Sequence, residues 1–286
     1  MKIAVIGAGL MGGAIARKLK ENSFDVIAFN RTLKKIEELK EFKVYITDSA
    51  QFALENSNLL LLLLSDYDAI KSVLFSENLI KLLADKTVIQ MGTILPDESI
   101  ELQYLFTNHG AEYFEAPVLG SVPQILNGEL IVMCAGDENL ITKYKFIFSS
   151  FSKDIYFIGE LGKAAALKLA LNNFVASHII TFSLSYGIIK RAKIDLDIFM
   201  EILRKSALFA KMFDNKLPLI HSDDFTKANF PTKHLLKDVR LINELSKNLN
   251  LNSDHLKYFM EIAEKAIQKG YGDLDYSSVV KAILDN

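Results

Sequence analysis

The sequence predicts an α/β fold, a mostly parallel sheet followed by an all-α C-terminal domain, and three observations predict it. Short β-rich runs alternate with helical patterns up to residue 159. A glycine-rich turn separates the first run from the first helix. After Gly159 only helical patterns remain. Strands alternating with helices imply parallel pairing with both sheet faces covered.

Lys2–Ile6 reads as the first strand, and a helix runs from the glycine turn to about Glu21. Phe24–Phe29 is the second strand and Leu33–Lys40 a helix. Val44–Ile46, Leu59–Leu64, Thr87–Met91, Glu112–Glu115, Leu130–Ala135 and Ile155–Ile158 continue the series. The all-leucine run at 59–64 suits a central strand buried on both faces. Beyond it, helices are expected over about 161–190, 195–206, 209–221, 231–249, 253–269 and 276–284. Pro218 and Pro231 punctuate them, and Gly270 and Gly272 break a late turn. The pattern divides the chain into domains 1–159 and 160–286.

Composition narrows the function classes. With 286 residues, half of them apolar, the chain can bury a sizeable core. A net charge of −2 gives no electrostatic footprint for nucleic acid or an anionic membrane. The single cysteine, Cys134, allows no internal disulfide, fits a reducing compartment and reads as a small buried hydrophobe. Strand-like residues from Lys2 leave no room for a signal peptide, so a cytoplasmic location is expected. Ala164–Ile189 is long enough to span a bilayer, but it contains Lys168, Asn172, Asn173, His178 and several hydroxyls. A helix buried in protein fits this composition better than one in lipid. So apolar a helix needs partners around most of its circumference. A homodimer or homotetramer assembled through the 160–190 helix is therefore expected. His109, His178, His221 and His255 show no metal-ligand spacing, and no metal is expected.

Gly7-Ala8-Gly9-Leu10-Met11-Gly12 is a G-x-G-x-x-G placed after a strand and before a helix, the context a dinucleotide site requires. Gly7 permits the tight turn, Gly9 lets the backbone approach a pyrophosphate, and Gly12 allows close helix–strand packing. The helix N-terminus faces the phosphate charge. The sheet is thus expected to be of Rossmann type. At the end of the second strand stand Asn30, Arg31 and Thr32, where an NAD-preferring site has an acid. A cation beside two small polar groups suits a ribose 2′-phosphate, so NADPH is expected over NADH. Leu64, Ser65 and Asp66 follow the central strand, and Met91-Gly92-Thr93 follows a later one. Ligands lie outside the carboxyl ends of such strands. Both turns are expected to flank the cofactor, with Thr93 also within the substrate's reach. Asp66 reads equally well as a helix cap.

Further segments carry chemistry: Glu115-Ala-Pro-Val-Leu-Gly-Ser121, Gly159 through Lys168, Asn172-Asn173, and Phe230-Pro-Thr-Lys-His-Leu-Leu-Lys-Asp238. Lys168 and Asn172 are four apart on a helix and share a face. A lysine in so apolar a helix is costly unless used or paired, and desolvation eases its proton transfer. Lys168 is expected to protonate the oxygen of a carbonyl being reduced, with Asn172 holding Lys168 or that oxygen. Backbone N–H groups at Gly120 and Ser121, with the serine hydroxyl, suit a carboxylate. His234, Lys237, Asp238 and Leu241 fall on one helical face. Lys237 is expected to approach the cofactor and Asp238 to orient it or the substrate.

Together with the N-terminal fingerprint, these segments resemble the β-hydroxyacid dehydrogenase family over essentially the whole chain. The resemblance is closest to the glyoxylate reductase and succinic semialdehyde reductase branch, through Asn30-Arg31-Thr32 and the Phe230–Asp238 segment. It implies NADPH-dependent reduction of a small aldehyde or keto acid to the hydroxy acid. Lys168 and Asn172 would be catalytic, the Gly120–Ser121 segment would anchor the substrate acid, and Phe230 would wall the pocket. Leu119 departs from the small residue usual before that glycine, which puts the pocket's shape in doubt. Three alternatives stand beside this reading: a 3-hydroxyisobutyrate-type dehydrogenase working in the oxidative direction, an imine reductase, and a non-catalytic NADPH-binding module. Lysine at 168 argues against the imine reductase, and retained Lys168, Asn172 and Asp238 argue against the module.

Overall fold

A computed structural model describes residues 1–284. The chain divides into two compact units, with the break between Lys168 and Leu169 inside one long helix. The change from mixed to purely helical structure comes earlier, at Gly159.

The first unit is built on one nine-stranded sheet in the order β3-β2-β1-β4-β5-β6-β8-β7, with β9 on the far side of β8. The strands are β1 (Lys2–Ile6), β2 (Asp25–Phe29), β3 (Tyr45–Thr47), β4 (Leu59–Leu62), β5 (Thr87–Gln90), β6 (Glu112–Glu115), β7 (Val118–Leu119), β8 (Ile131–Ala135) and β9 (Asp154–Gly159). β1 to β6 pair in parallel, in the 3-2-1-4-5-6 order of a doubly wound dinucleotide fold. β8 runs antiparallel to β6 and β7 and parallel to β9. The sequence reading lacked β7, whose two residues are too few for an alternation to register.

The helices of this unit are α1 (Leu10–Glu21), α2 (Ala50–Glu55), α3 (Tyr67–Leu74), α4 (Pro96–Asn108), α5 (Val122–Asn127) and α6 (Glu138–Phe148). The segment expected as a helix after β2 is a 3₁₀ stretch, Leu33–Phe42. The leucine strand shows why the sheet is central. Leu59 and Leu61 pack into the core on one face, Leu60 and Leu62 into the core on the other, and all four are fully buried. Ile3 and Val5 against Ala4 and Ile6 divide in the same way on β1. Cys134 lies inside the first of these cores, where burial pushes its thiol up to about 12, so it packs as a hydrophobe.

α7 (Lys163–Arg191) carries the chain into the second unit, which adds α8 (Leu196–Lys205), α9 (Lys211–Ser222), α10 (Thr232–Asn248), α11 (His255–Ala266) and α12 (Val279–Leu284). A turn of π-helix at Ile267–Tyr271 ends α11, and the late break falls at Gly270, with φ of +89°. α7 is long and apolar enough to cross a membrane by length and composition. Burial on every side, expected from its sequence, is not what the chain provides. Phe174, Leu184 and Ile188 are exposed and lie along one stripe.

Candidate functional site

The glycine turn follows β1 and opens α1. Gly7 adopts φ of +96°, and a Cβ there would stand 2.7 Å from the backbone of Leu63 at the end of β4, so both conformation and space demand glycine. A Cβ on Gly12 would collide with the Gly7 carbonyl and press on Val5, which is the close helix–strand packing expected. At Gly9 nothing lies within 4 Å of that position. Gly9 is also the N-cap of α1, with no side chain capping the helix and no acid in its first turn. Ala8 is buried, while Leu10 is half exposed beside this opening. Uncapped N–H groups at the start of a three-turn helix, beside open space over glycine, fit a dinucleotide pyrophosphate.

The other strand ends gather around this turn. The amides of Gly7 and Ala8 donate to the Phe29 carbonyl at 3.1 and 2.9 Å, joining the turn to the end of β2. Asn30 works inward: its Nδ2 donates to the Ala8 carbonyl at 3.2 Å and its Oδ1 accepts from the Thr32 amide at 2.9 Å. It shapes the loop, which leaves the exposed Arg31 and Thr32 as the groups facing outward. Leu64 is partly buried, and a Cβ on Gly92 would stand 2.8 Å from its carbonyl. Gly92 is thus required for β4 and β5 to close together, a need the sequence did not disclose. Thr93 is partly buried next to it. Asp66 caps α3 by accepting from the Ala69 amide at 2.8 Å, and the Ser65 hydroxyl donates to its other oxygen at 2.7 Å. Of its two readings the cap is the one realised.

The segment after β6 holds a buried carboxylate. Glu115 is almost fully buried, and its Oε2 accepts from the Ser99 hydroxyl at 2.7 Å. Its Oε1 accepts from the amides of Ala164 and Ala165, at 2.9 and 3.4 Å, in the first turn of α7. Burial raises its carboxyl above the usual range, against the lowering effect of these hydrogen bonds. Glu115 therefore joins the end of β6 to the start of the helix that presents Lys168 about one turn further on. Gly120 has φ of +135° and abuts Leu130 and Gln124. Ser121 N-caps α5, but its hydroxyl and amide both donate to Gln124 Oε1, at 2.6 and 3.0 Å. α5 has only six residues, so the expected carboxylate anchor depends on Gln124 turning away.

Lys168 is partly buried on α7, and Asn172 lies one turn on along the same helix. The Asn172 Nδ2 donates to Asp238 Oδ2 at 2.6 Å, a partner the sequence reading did not assign to it. Asp238, on α10 and buried, also meets Lys237 Nζ at 2.9 Å from Oδ1. Lys237 and Asp238 thus form a mostly buried pair that holds Asn172. Phe230 precedes α10 and stacks on His234, with centroids 6.2 Å apart. Burial, then the charge of Lys237, lowers the His234 pKa and favours neutral imidazole. Among the described residues no group of three or more His, Cys, Asp or Glu is arranged to hold a metal.

Two family profiles together cover nearly all of this chain. One, described as the NAD binding domain of 6-phosphogluconate dehydrogenase, matches residues 2–159. The other, described as NAD-binding of NADP-dependent 3-hydroxyisobutyrate dehydrogenase, matches residues 162–283. The chain is 30% identical to glyoxylate/succinic semialdehyde reductase 1 of Arabidopsis thaliana, over 99% of its own length and 98% of the relative's. Its fold is similar to a 3-hydroxyisobutyrate dehydrogenase from Salmonella typhimurium, with a TM-score of 0.89 at 22% identity over 98% of this chain and 99% of the other. It is also similar to an imine reductase from Myxococcus stipitatus in complex with NADP+, with a TM-score of 0.70 at 19% identity over 99% of this chain and 100% of the other.

Proposed function

We propose, from the premise that this chain belongs to the β-hydroxyacid dehydrogenase family and is an NAD(P)-dependent oxidoreductase, that it reduces a small aldehyde or keto acid to the hydroxy acid with NADPH. Glyoxylate and succinic semialdehyde are the substrate class, as the name of its Arabidopsis thaliana relative suggests. The observation that carries the proposal is the pairing of Lys168 with an anchored Asn172. A partly buried lysine stands one turn from an amide that is itself held by buried Asp238.

The glycine turn Gly7–Gly12 would hold the dinucleotide phosphates, with Leu64, Ser65, Thr93 and Lys237 around it. When bound, the cofactor supplies the hydride. Lys168 polarises the substrate carbonyl and delivers the proton to its oxygen as negative charge develops there. Asn172, with its Nδ2 committed to Asp238, keeps its carbonyl oxygen for the Lys168 ammonium or the substrate hydroxyl. Gly120 and Ser121 take the substrate carboxylate once Gln124 releases the serine, and Phe230 bounds the pocket. Arg31 and Thr32 favour NADPH, since a guanidinium pairs well with a phosphate and Asn30 brings no repelling carboxylate. We further assign the exposed stripe of α7 to a second copy of this chain, in a cytoplasmic homo-oligomer that does not enter a membrane.

The test is a panel of glyoxylate, succinic semialdehyde, 3-hydroxyisobutyrate and a cyclic imine, assayed with both cofactors. Lys168→Ala is expected to lower kcat for the acids by about 10²–10⁴-fold with NADPH binding retained. Near-normal reduction by that variant removes Lys168 from the proposed role, and turnover of the imine alone replaces the substrate class. Binding of NADPH with no turnover of any kind leaves the non-catalytic module. Arg31→Ala is expected to weaken NADPH by about tenfold, the worth of one charge-assisted contact, and to leave NADH unchanged. Equal loss for both cofactors would remove the 2′-phosphate assignment.

A further inference from the structure

We propose that the buried ion pair of Lys216 and Asp275 is a positioning device that sets the Phe230 wall of the substrate pocket. The inference rests on the reading that Phe230 bounds the substrate. Residues 224–230 have neither helix nor strand, so their placement depends on what they are tied to. They are tied to Leu274–Tyr276. The Asp275 amide donates to Phe225 at 2.9 Å, the Tyr276 amide to Phe230 at 2.9 Å and the Thr232 amide to Leu274 at 2.9 Å. The Asn229 amide reaches Asp275 Oδ2 at 3.4 Å, one residue before Phe230.

Asp275 is fully buried, and Ser277 donates to its Oδ1 from both its amide, at 3.1 Å, and its hydroxyl, at 2.7 Å. A carboxylate this far from water needs a cation, and Lys216 Nζ on α9 meets both of its oxygens at 2.9 and 2.8 Å. The same ammonium stands 4.5 Å from the Tyr276 ring centroid. That ring meets Phe230 edge-on at 5.6 Å, and Phe230 stacks on His234. Two routes, one through backbone and one through rings, thus run from the pair to Phe230. Residues 59 positions apart in sequence form the pair, so no local motif signals it.

The double variant Lys216→Met/Asp275→Asn removes both charges and leaves an amide carbonyl as the acceptor for Ser277. With saturating NADPH its KM for glyoxylate or succinic semialdehyde is expected to rise about tenfold with a much smaller change in kcat, the signature of lost substrate positioning. NADPH affinity should stay at the wild-type value, and amide exchange of residues 225–232, read without substrate, should accelerate. Lys216→Arg alone, which keeps a cation on Asp275, should hold KM and exchange near wild type. Tyr276→Leu keeps the pair and removes only the ring between it and Phe230. It should raise KM in the same way, and it decides the question if the double variant does not fold. A lower Tm with KM, kcat and exchange all unchanged would overturn the proposal and leave a purely structural pair. If the wild-type chain reduces no acid carbonyl, the proposed function fails, and exchange of 225–232 still decides whether the pair holds that segment.

Discussion

Glu115 binds the start of the lysine-bearing helix as a buried carboxylate, and its ionisation has a cost. Burial raises its pKa in the folded chain, so the contribution of this group to stability is complete at acid pH and is lost as pH rises through the folded value. Glu115→Gln keeps an oxygen for the Ala164 amide and cannot ionise. Its Tm is expected to match wild type near pH 5 and to exceed it increasingly toward pH 8. A gap that does not change with pH would show that the carboxylate is not strained by burial. Glu115→Ala leaves the Ser99 hydroxyl and two helix amides without their acceptor, a loss of about 1–3 kcal/mol. Thermal unfolding measures both variants. At this scale the sequence marked Lys168, Asn172 and Asp238 because polar groups stand out in apolar helical patterns. It could not show that Asn172 bonds Asp238, or that Ser121 bonds Gln124, because partner choice depends on where distant or rotatable groups come to rest.

The elements were legible wherever periodicity was strong. The leucine strand, the helix that follows the glycines and the long helix α7 lie where their patterns place them. The two-residue β7 and the 3₁₀ segment at Leu33–Phe42 were not, because their geometry is imposed by neighbours and leaves little local pattern. Asp66 shows how an element resolves an ambiguity. The residue fits a cofactor loop or a cap, and the formed helix α3 takes it as a cap. Asp66→Ala is therefore expected to cost about 1 kcal/mol, the usual worth of an N-cap, in chemical denaturation. NADPH affinity, measured by titration, should be unchanged. A loss of affinity larger than the loss of stability would return Asp66 to the cofactor.

For the whole molecule, the exposed stripe of α7 is the feature with the largest consequence. Phe174, Leu184 and Ile188 present apolar surface to solvent on the helix that also carries Lys168 and Asn172. Leu184→Glu with Ile188→Glu is expected to convert the proposed homo-oligomer to a monomer in sedimentation or light scattering, because a charge in a closing apolar interface is left unpaired. An unchanged mass would move the interface elsewhere. Hydrophobic period, glycine spacing and a lysine set in the apolar stretch of α7 are local properties, and from them the sequence alone determined the α/β-then-α order, the dinucleotide turn and the residues that carry the proposed chemistry. Tertiary structure decided which polar groups meet. Lys216 reaches Asp275, Glu115 reaches the first turn of α7, and Gly92 yields to Leu64. Each contact joins residues tens of positions apart, and burial makes each obligatory only after the chain has folded, because a group withdrawn from water must find its partner inside.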